Sequence, residues 1–199
     1  MASAILSTDL PGPAPSGNWL SRLLALVVLA CALSCLAVGA QQGAPASAMS
    51  ERSVKAAFLY KFLSYVEFAA EPGPSLVVGV LGSDEIAAEL SRITGGRMVG
   101  NRNVVVRNLK DGESLAGVHL LFVGADAQNP ARAMSAAAQQ GTVTVSEQDD
   151  GLQQGSVINF RVVDQRVRFE VSLPAAERSN ARLSSRLLSV AYHVQKGGD

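Results

Sequence analysis

The sequence predicts a single α/β domain: a mixed, mostly parallel sheet flanked by helices and finished by a C-terminal β-hairpin and helix. Three observations predict it. From Glu51 onward helical spacing and apolar runs of strand length alternate, and from Leu76 to Val145 they follow the order β-α-β-β-α-β. The run Leu76-Val77-Val78-Gly79-Val80-Leu81-Gly82 has no polar alternation, as a strand covered on both faces requires. Ser156–Val163 and Arg166–Val171 flank the joint Asp164-Gln165 and read as a hairpin.

Residues 1–40 stand apart from that domain. Arg22 is the only basic side chain before Ala40, and it directly precedes the apolar run Leu23–Val38, whose only polar break is Ser34. A positive flank, a short hydrophobic stretch and Val38-Gly39-Ala40 form the three-part pattern of a secretory signal, with cleavage expected after Ala40. The run is shorter than the roughly 20 residues a membrane-spanning helix needs, so a retained anchor ranks behind a cleaved signal. A lipoprotein signal is a third reading, since Val28-Leu29-Ala30 precedes Cys31 and Ala32-Leu33-Ser34 precedes Cys35. Cys31 and Cys35 are the only cysteines, so a chain cut after Ala40 forms no disulfide and must rely on its hydrophobic core. At this length one domain buries about two-thirds of its unfolded surface. Gln41–Ser50, rich in Ala, Gln, Gly and Ser, reads as a flexible leader, residues 51–195 as the domain and residues 196–199 as a disordered tail.

Within the domain, Val54–Phe68 carries Val54, Ala57, Phe58, Phe62, Tyr65 and Val66 at helical spacing, with Leu59, Tyr60 and Leu63 apolar on other faces. A helix this apolar is buried on more than one side or packs on a second chain. Pro72-Gly73-Pro74 ends it. After the strand Leu76–Gly82, Ser83 reads as an N-cap, with Asp84 and Glu85 in the first helical turn, where the helix dipole favours acids. Asn103–Leu109 and His119–Val123 read as strands, Ala127–Gln140 as a helix and Gly141–Val145 as a strand. In the hairpin, Arg166, Arg168 and Glu170 alternate with Val167, Phe169 and Val171, so one face is wet or used for contact. Pro174–Arg178 begins a helical turn, and Ser184 caps a last helix striped with Leu187, Leu188 and Ala191.

Charge excludes one class. The chain has 17 basic and 17 acidic residues, and removing residues 1–40 takes away one of each, Arg22 and Asp9. The balance leaves no basic footprint for nucleic acid. Gly79 and Gly82 precede a helix, but Asp84-Glu85 stand where a dinucleotide fingerprint needs its third glycine, and their charge would repel a pyrophosphate. Gly95-Gly96-Arg97 with Arg102 reads as a solvated turn before it reads as an anion site. His119 and His193, the latter placed in the last helix, lack zinc-ligand spacing, and Glu147, Asp149 and Asp150 lack the regular spacing of a calcium loop. There is no Gly-x-Ser-x-Gly elbow, so no enzyme, metal or cofactor is expected. A hydrolase would require two or more of His119, Asp126 and Ser146 to meet in one cleft.

The segments KAAFLYKFLSYVEF, LVVGVLGSDEIAAEL, GGRMVGNRNVVVRNL and SVINFRVVDQRVRFEVSLPAAERSNARLSSRLLSVA follow the order and style of the YfiR family of periplasmic proteins, which this chain resembles over about residues 52–192. The resemblance implies an exported α/β domain, often dimeric, whose best understood role is to repress a membrane-bound diguanylate cyclase through its periplasmic portion. Many members carry a Trp near Phe68, a Cys near Val118 and an Asn near Ser172; all three differ here, and redox control does not transfer to a thiol-free domain.

The expected function is therefore a periplasmic regulatory protein that binds and represses a signalling enzyme, a diguanylate cyclase or kinase, in cyclic-di-GMP signalling. Its candidate partner-binding residues are Phe58, Tyr60, Phe62 and Tyr65 on the apolar helix and Arg166, Arg168 and Glu170 on the hairpin. Core packing competes with the first group and simple solvation with the second. A homodimer is a further expectation, and contact with the membrane only through the partner or an uncleaved signal. The alternative function is a periplasmic small-ligand sensor, with its pocket at the carboxyl ends of the central strands near Gly82 and Gly124.

Overall fold

The computed structural model describes residues 46–69 and 73–197. The candidate signal, residues 1–40, lies outside the described residues. The first helix, α1, spans Ala46–Phe62 and so begins inside the stretch read as a leader. It also ends earlier than the helical spacing predicts: Ser64 N–H and Tyr65 N–H bond to Lys61 and Phe62 carbonyls, tightening the last turn. Val66 and Glu67 then form a short strand, β1, antiparallel to β9 (Arg182–Leu183). Tyr65 and Phe68 therefore lie off the helix, because pairing with Leu183 outcompetes another turn.

The main sheet contains β2 (Ser75–Leu81), β3 (Met98–Val99), β4 (Arg102–Leu109), β5 (Leu120–Val123), β6 (Val143–Ser146), β7 (Ile158–Val163), β8 (Arg166–Ser172) and β10 (His193–Gln195). Its order is β10-β8-β7-β6-β5-β2-β4-β3. Strands β4, β2, β5, β6 and β7 run parallel, while β3 and β8 run antiparallel to their neighbours and β10 returns parallel to β8. The mixed, mostly parallel sheet of the sequence analysis is thus present, with the C-terminal hairpin and helix. His193, placed in a helix by its sequence, belongs instead to the edge strand β10.

Helix α2 (Asp84–Thr94) starts where Ser83 Oγ accepts the Ile86 N–H. Helix α3 (Pro130–Gln139) opens on a proline, and the short α4 (Leu173–Arg178) and α5 (Ser185–Val190) are capped by Ser172 and Ser184. Strand alternation divides the apolar residues between two cores. Leu76, Val78, Val80, Leu120 and Phe122 face α1 and α2, where Leu59, Phe62, Ile86 and Leu90 meet them. Leu81, Leu109, Leu121 and Val123 face the other side, against Met134 and Ala137 of α3. Gly79 has a packing reason: a Cβ there would meet Leu109 Cδ1 at 2.7 Å.

Candidate functional site

The hairpin β7–β8 is built to protrude. Strand β6 pairs with only Ile158 and Asn159 of β7, whereas β7 and β8 pair with each other from Ile158↔Val171 to Val163↔Arg166. Phe160 to Val163 therefore continue past the end of β6 as one strand of a two-stranded arm. The arm closes through Asp164 and Gln165, both at positive φ (50° and 59°), the backbone of a turn whose twist matches the strands.

One face of the arm's base is anchored by rings. Phe58 lies 5.5 Å from Phe169 and 6.1 Å from Phe160, and Phe62 lies 5.1 Å from Phe169 and 6.0 Å from Phe160, between centroids. Farther out on that face the cover ends: Val162 is 56% exposed and its cross-strand partner Val167 is half-buried. The opposite face carries Arg161, Arg166 and Arg168. Arg161 stands directly across from Arg168, and none of the three makes an ion pair among the described residues. Like charges directly opposed destabilise a ladder. Arg161 relieves part of this by donating from Nη1 to the Asp149 carbonyl at 2.6 Å.

The candidate residues thus separate. Phe62 is 2% exposed and belongs to the core, so its ring is not a docking group in this conformation. Phe58 is half-buried in the same ring cluster. Half-buried Tyr60 donates its hydroxyl to the Met98 carbonyl at 3.1 Å, and Tyr65 packs on the core while its carbonyl accepts the Ser184 N–H. These four side chains hold the domain together rather than form one open surface. Arg166 and Arg168 are exposed and adjacent, while Glu170 is half-buried where β10 pairs His193 against it. Arg161 was missed by sequence alone, although the two-residue turn fixes its register opposite Arg168.

At the carboxyl ends of β2 and β5, Gly82 and Gly124 are in backbone contact, with a small pocket of about 210 Å³ beside them lined by Lys55, Ser83, Glu85 and Glu147. Gly124 N–H bonds to the Leu81 carbonyl at 2.8 Å and Asp126 N–H to the Gly82 carbonyl at 3.2 Å. A Cβ on Gly82 would enter the Ala127 backbone, and one on Gly124 would enter the Gly82 carbonyl. The glycines permit two loops to touch at this point. Beside them Lys55, buried at 9% exposure, bonds Glu147 at 2.7 Å and Glu51 at 2.5 Å, and Glu147 also accepts the Ala125 N–H at 2.8 Å. Burial alone would lower the Lys55 pKa, but the two carboxylates outweigh it and hold it above its ordinary value.

His119, Asp126 and Ser146 do not converge. His119 lies at the amino end of β5, whereas Asp126 and Ser146 lie at the carboxyl ends of β5 and β6, where Asp126 is exposed and Ser146 is fully buried with its Oγ accepting the Gln148 N–H. His119 Nδ1 accepts the Val77 N–H at 3.0 Å, which uses the lone pair that a proton would need. Burial, then the Arg102 charge, lowers its pKa. Among the described residues no group of three or more His, Cys, Asp or Glu is placed to hold a metal ion.

These features define an α/β domain whose distinctive surface is a cationic hairpin arm suited to contact. The family model for YfiR/HmsC-like proteins matches residues 52–192, and the chain belongs to that family, a periplasmic family that is regulatory rather than catalytic. No curated protein matches the chain. A similar solved structure is that of a conserved domain protein from Vibrio cholerae O1 biovar El Tor, with a TM-score of 0.50 and 11% identity. The match covers 72% of this chain and 60% of that one, so this chain spans about three-fifths of that relative's length, and the likeness concerns the fold alone. No helix of the described residues is long and apolar enough to cross a membrane.

Proposed function

We propose that this protein is exported by residues 1–40 and, in the periplasm, binds and represses a membrane-bound signalling enzyme, a diguanylate cyclase of cyclic-di-GMP signalling. The observation that carries the reading is the hairpin arm. Three guanidinium groups share one of its faces without an ion-pair partner among the described residues, and Val162 is 56% exposed on the other. An acidic partner surface with an apolar spot would satisfy both faces, and guanidinium forks pair carboxylates two bonds at a time. Repression follows as a population shift: the arm binds the inactive conformation of the cyclase's periplasmic portion better than the active one and draws it toward inactivity by that difference.

The test replaces Arg166 and Arg168 by Glu, with and without Arg161→Glu, and measures co-purification with the cyclase's periplasmic portion. Charge reversal is expected to abolish capture while the melting temperature holds, since Arg166 and Arg168 are exposed. Unchanged capture by the folded variant removes the arm from consideration.

A further inference from the structure

The connection from β4 to β5 is unusual for parallel strands in one sheet. It runs only from Lys110 to His119 and contains no helix, although such crossovers normally take about a dozen residues or more and a helix. Helix α3 packs over β5 and β6. The same face of β2 and β4 is therefore left without a helix: Val105 on β4 is 41% exposed and Val77 on β2 is only half-buried. At the carboxyl ends of β2 and β4 this omission leaves a pocket of about 430 Å³ between the 110–115 loop and α3.

The pocket has two chemically distinct parts. Its base is aliphatic, from Leu81, Leu109 and Leu115, with Ala133 and Ala136 of α3 forming the side wall. Its rim is charged. Of the two acids there, Asp111 accepts the Gln128 and Asn129 N–H groups, both at 3.3 Å, and so ties down the loop that leads into α3. Glu113 accepts the Lys110 N–H at 3.1 Å and bonds Arg107 at 3.5 Å. Both carboxylates already have partners in the fold, Asp111 in backbone N–H groups and Glu113 in Arg107. The two cations, Lys110 on the loop and Arg132 on α3, stand on opposite walls and make no ion pair among the described residues.

From this division we infer that the pocket is a binding site for a small aliphatic carboxylate, its chain on the leucine base and its carboxylate between Lys110 and Arg132. A neutral alcohol would leave the two cations unanswered, and an amine would be repelled by them and find on the rim only Asp111 and Glu113, whose oxygens already hold N–H groups of the fold. The site carries forward the small-ligand reading of the sequence at the carboxyl ends of the central strands, with Leu81, next to Gly82, in its base. It does not depend on the partner proposed for the hairpin arm, which lies at β7–β8.

The experiment titrates hexanoate into the protein, following heat by calorimetry and amide shifts by NMR, with hexanol and hexylamine as probes of charge. Hexanoate is expected to bind with a Kd on the order of 1 mM, as fits so small a ligand, and to move the amides of Gly112–Leu115 and Ala131–Ala136. Arg132→Gln and Lys110→Gln should each weaken it about 5-fold or more with circular dichroism unchanged, since each removes one charge-assisted contact. Ala136→Leu, which extends the side wall into the pocket, should abolish binding of hexanoate. Equal binding of hexanoate and hexylamine, equal binding by wild type and both charge variants, or no saturable binding would overturn the assignment. Capture of the cyclase by the same variants is expected to be unaffected, so failure here and failure of the proposed function are read separately.

Discussion

Replacing Lys55 by Met keeps most of the side-chain volume and removes the charge that joins α1 to the ends of the central strands. Lys55 and Glu147 side chains are 11% and 14% exposed, so the pair is nearly dry. Deleting one member of a buried pair costs about 3–5 kcal/mol, chiefly because the other charge is stranded. Two features of this site reduce that cost. Glu147 keeps the Ala125 N–H at 2.8 Å, and the residual exposure lets water reach its carboxylate. We therefore expect a loss of about 2 kcal/mol, the scale of one strong hydrogen bond to a charged group. In a domain of this size each kcal/mol moves Tm by about 2–4 °C, so Lys55→Met should melt about 4–8 °C lower by calorimetry. Glu51 is 37% exposed, and its loss in Glu51→Gln should cost at most about 1 kcal/mol, as surface pairs do. The raised Lys55 pKa means that this stabilisation is whole below its ordinary value of 10.5 and fades as pH climbs through the folded-state value. A Lys55→Met protein melting within about 1 °C of wild type, or Glu51→Gln proving the more damaging, would refute this account of the pair.

Further outcomes follow from the same geometry. Gly82→Ala must hold a Cβ at φ 70° against the Ala127 backbone, so its urea midpoint should fall by the equivalent of about 2 kcal/mol or more. Phe169→Ala empties the centre of the ring cluster at a position 3% exposed and should cost about 3–5 kcal/mol in denaturant melts. For His119, whose folded pKa is lowered below 6.5, stability is fully present above the unfolded value and is lost as pH falls through the folded one; His119→Gln should flatten that acid limb of the Tm–pH profile.

Much of the fold was legible because local and tertiary preferences agree. Leu76–Leu81 reads as a doubly covered strand and is one, since α1 and α2 lie on one side and the second core on the other. Ser83 and Ser184 read as caps and accept the N–H groups that caps should. Disagreement arises where pairing decides. Val66 continues the helical spacing of α1, yet its strand partner Leu183 is more than a hundred residues away. Strand β10 has three residues and owes its existence to β8, so His193 carried no local sign of its place. In the candidate surface, Arg166 and Arg168 were visible from alternation, but Arg161 required the register and Val162 required knowing where β6 stops. Gly82 and Gly124 marked the strand ends in the sequence, but that their missing side chains serve a backbone contact between two loops required the structure.

The three residues of β10 also act as a seal. By hydrogen-bonding Glu170–Ser172 of β8 they cover part of a strand that would otherwise offer bare peptide groups at the end of the eight-stranded sheet. Trimming the chain from His193 onward would uncover that row and turn the domain toward self-association through strand addition, with insoluble material rather than a simple loss of folding as the consequence.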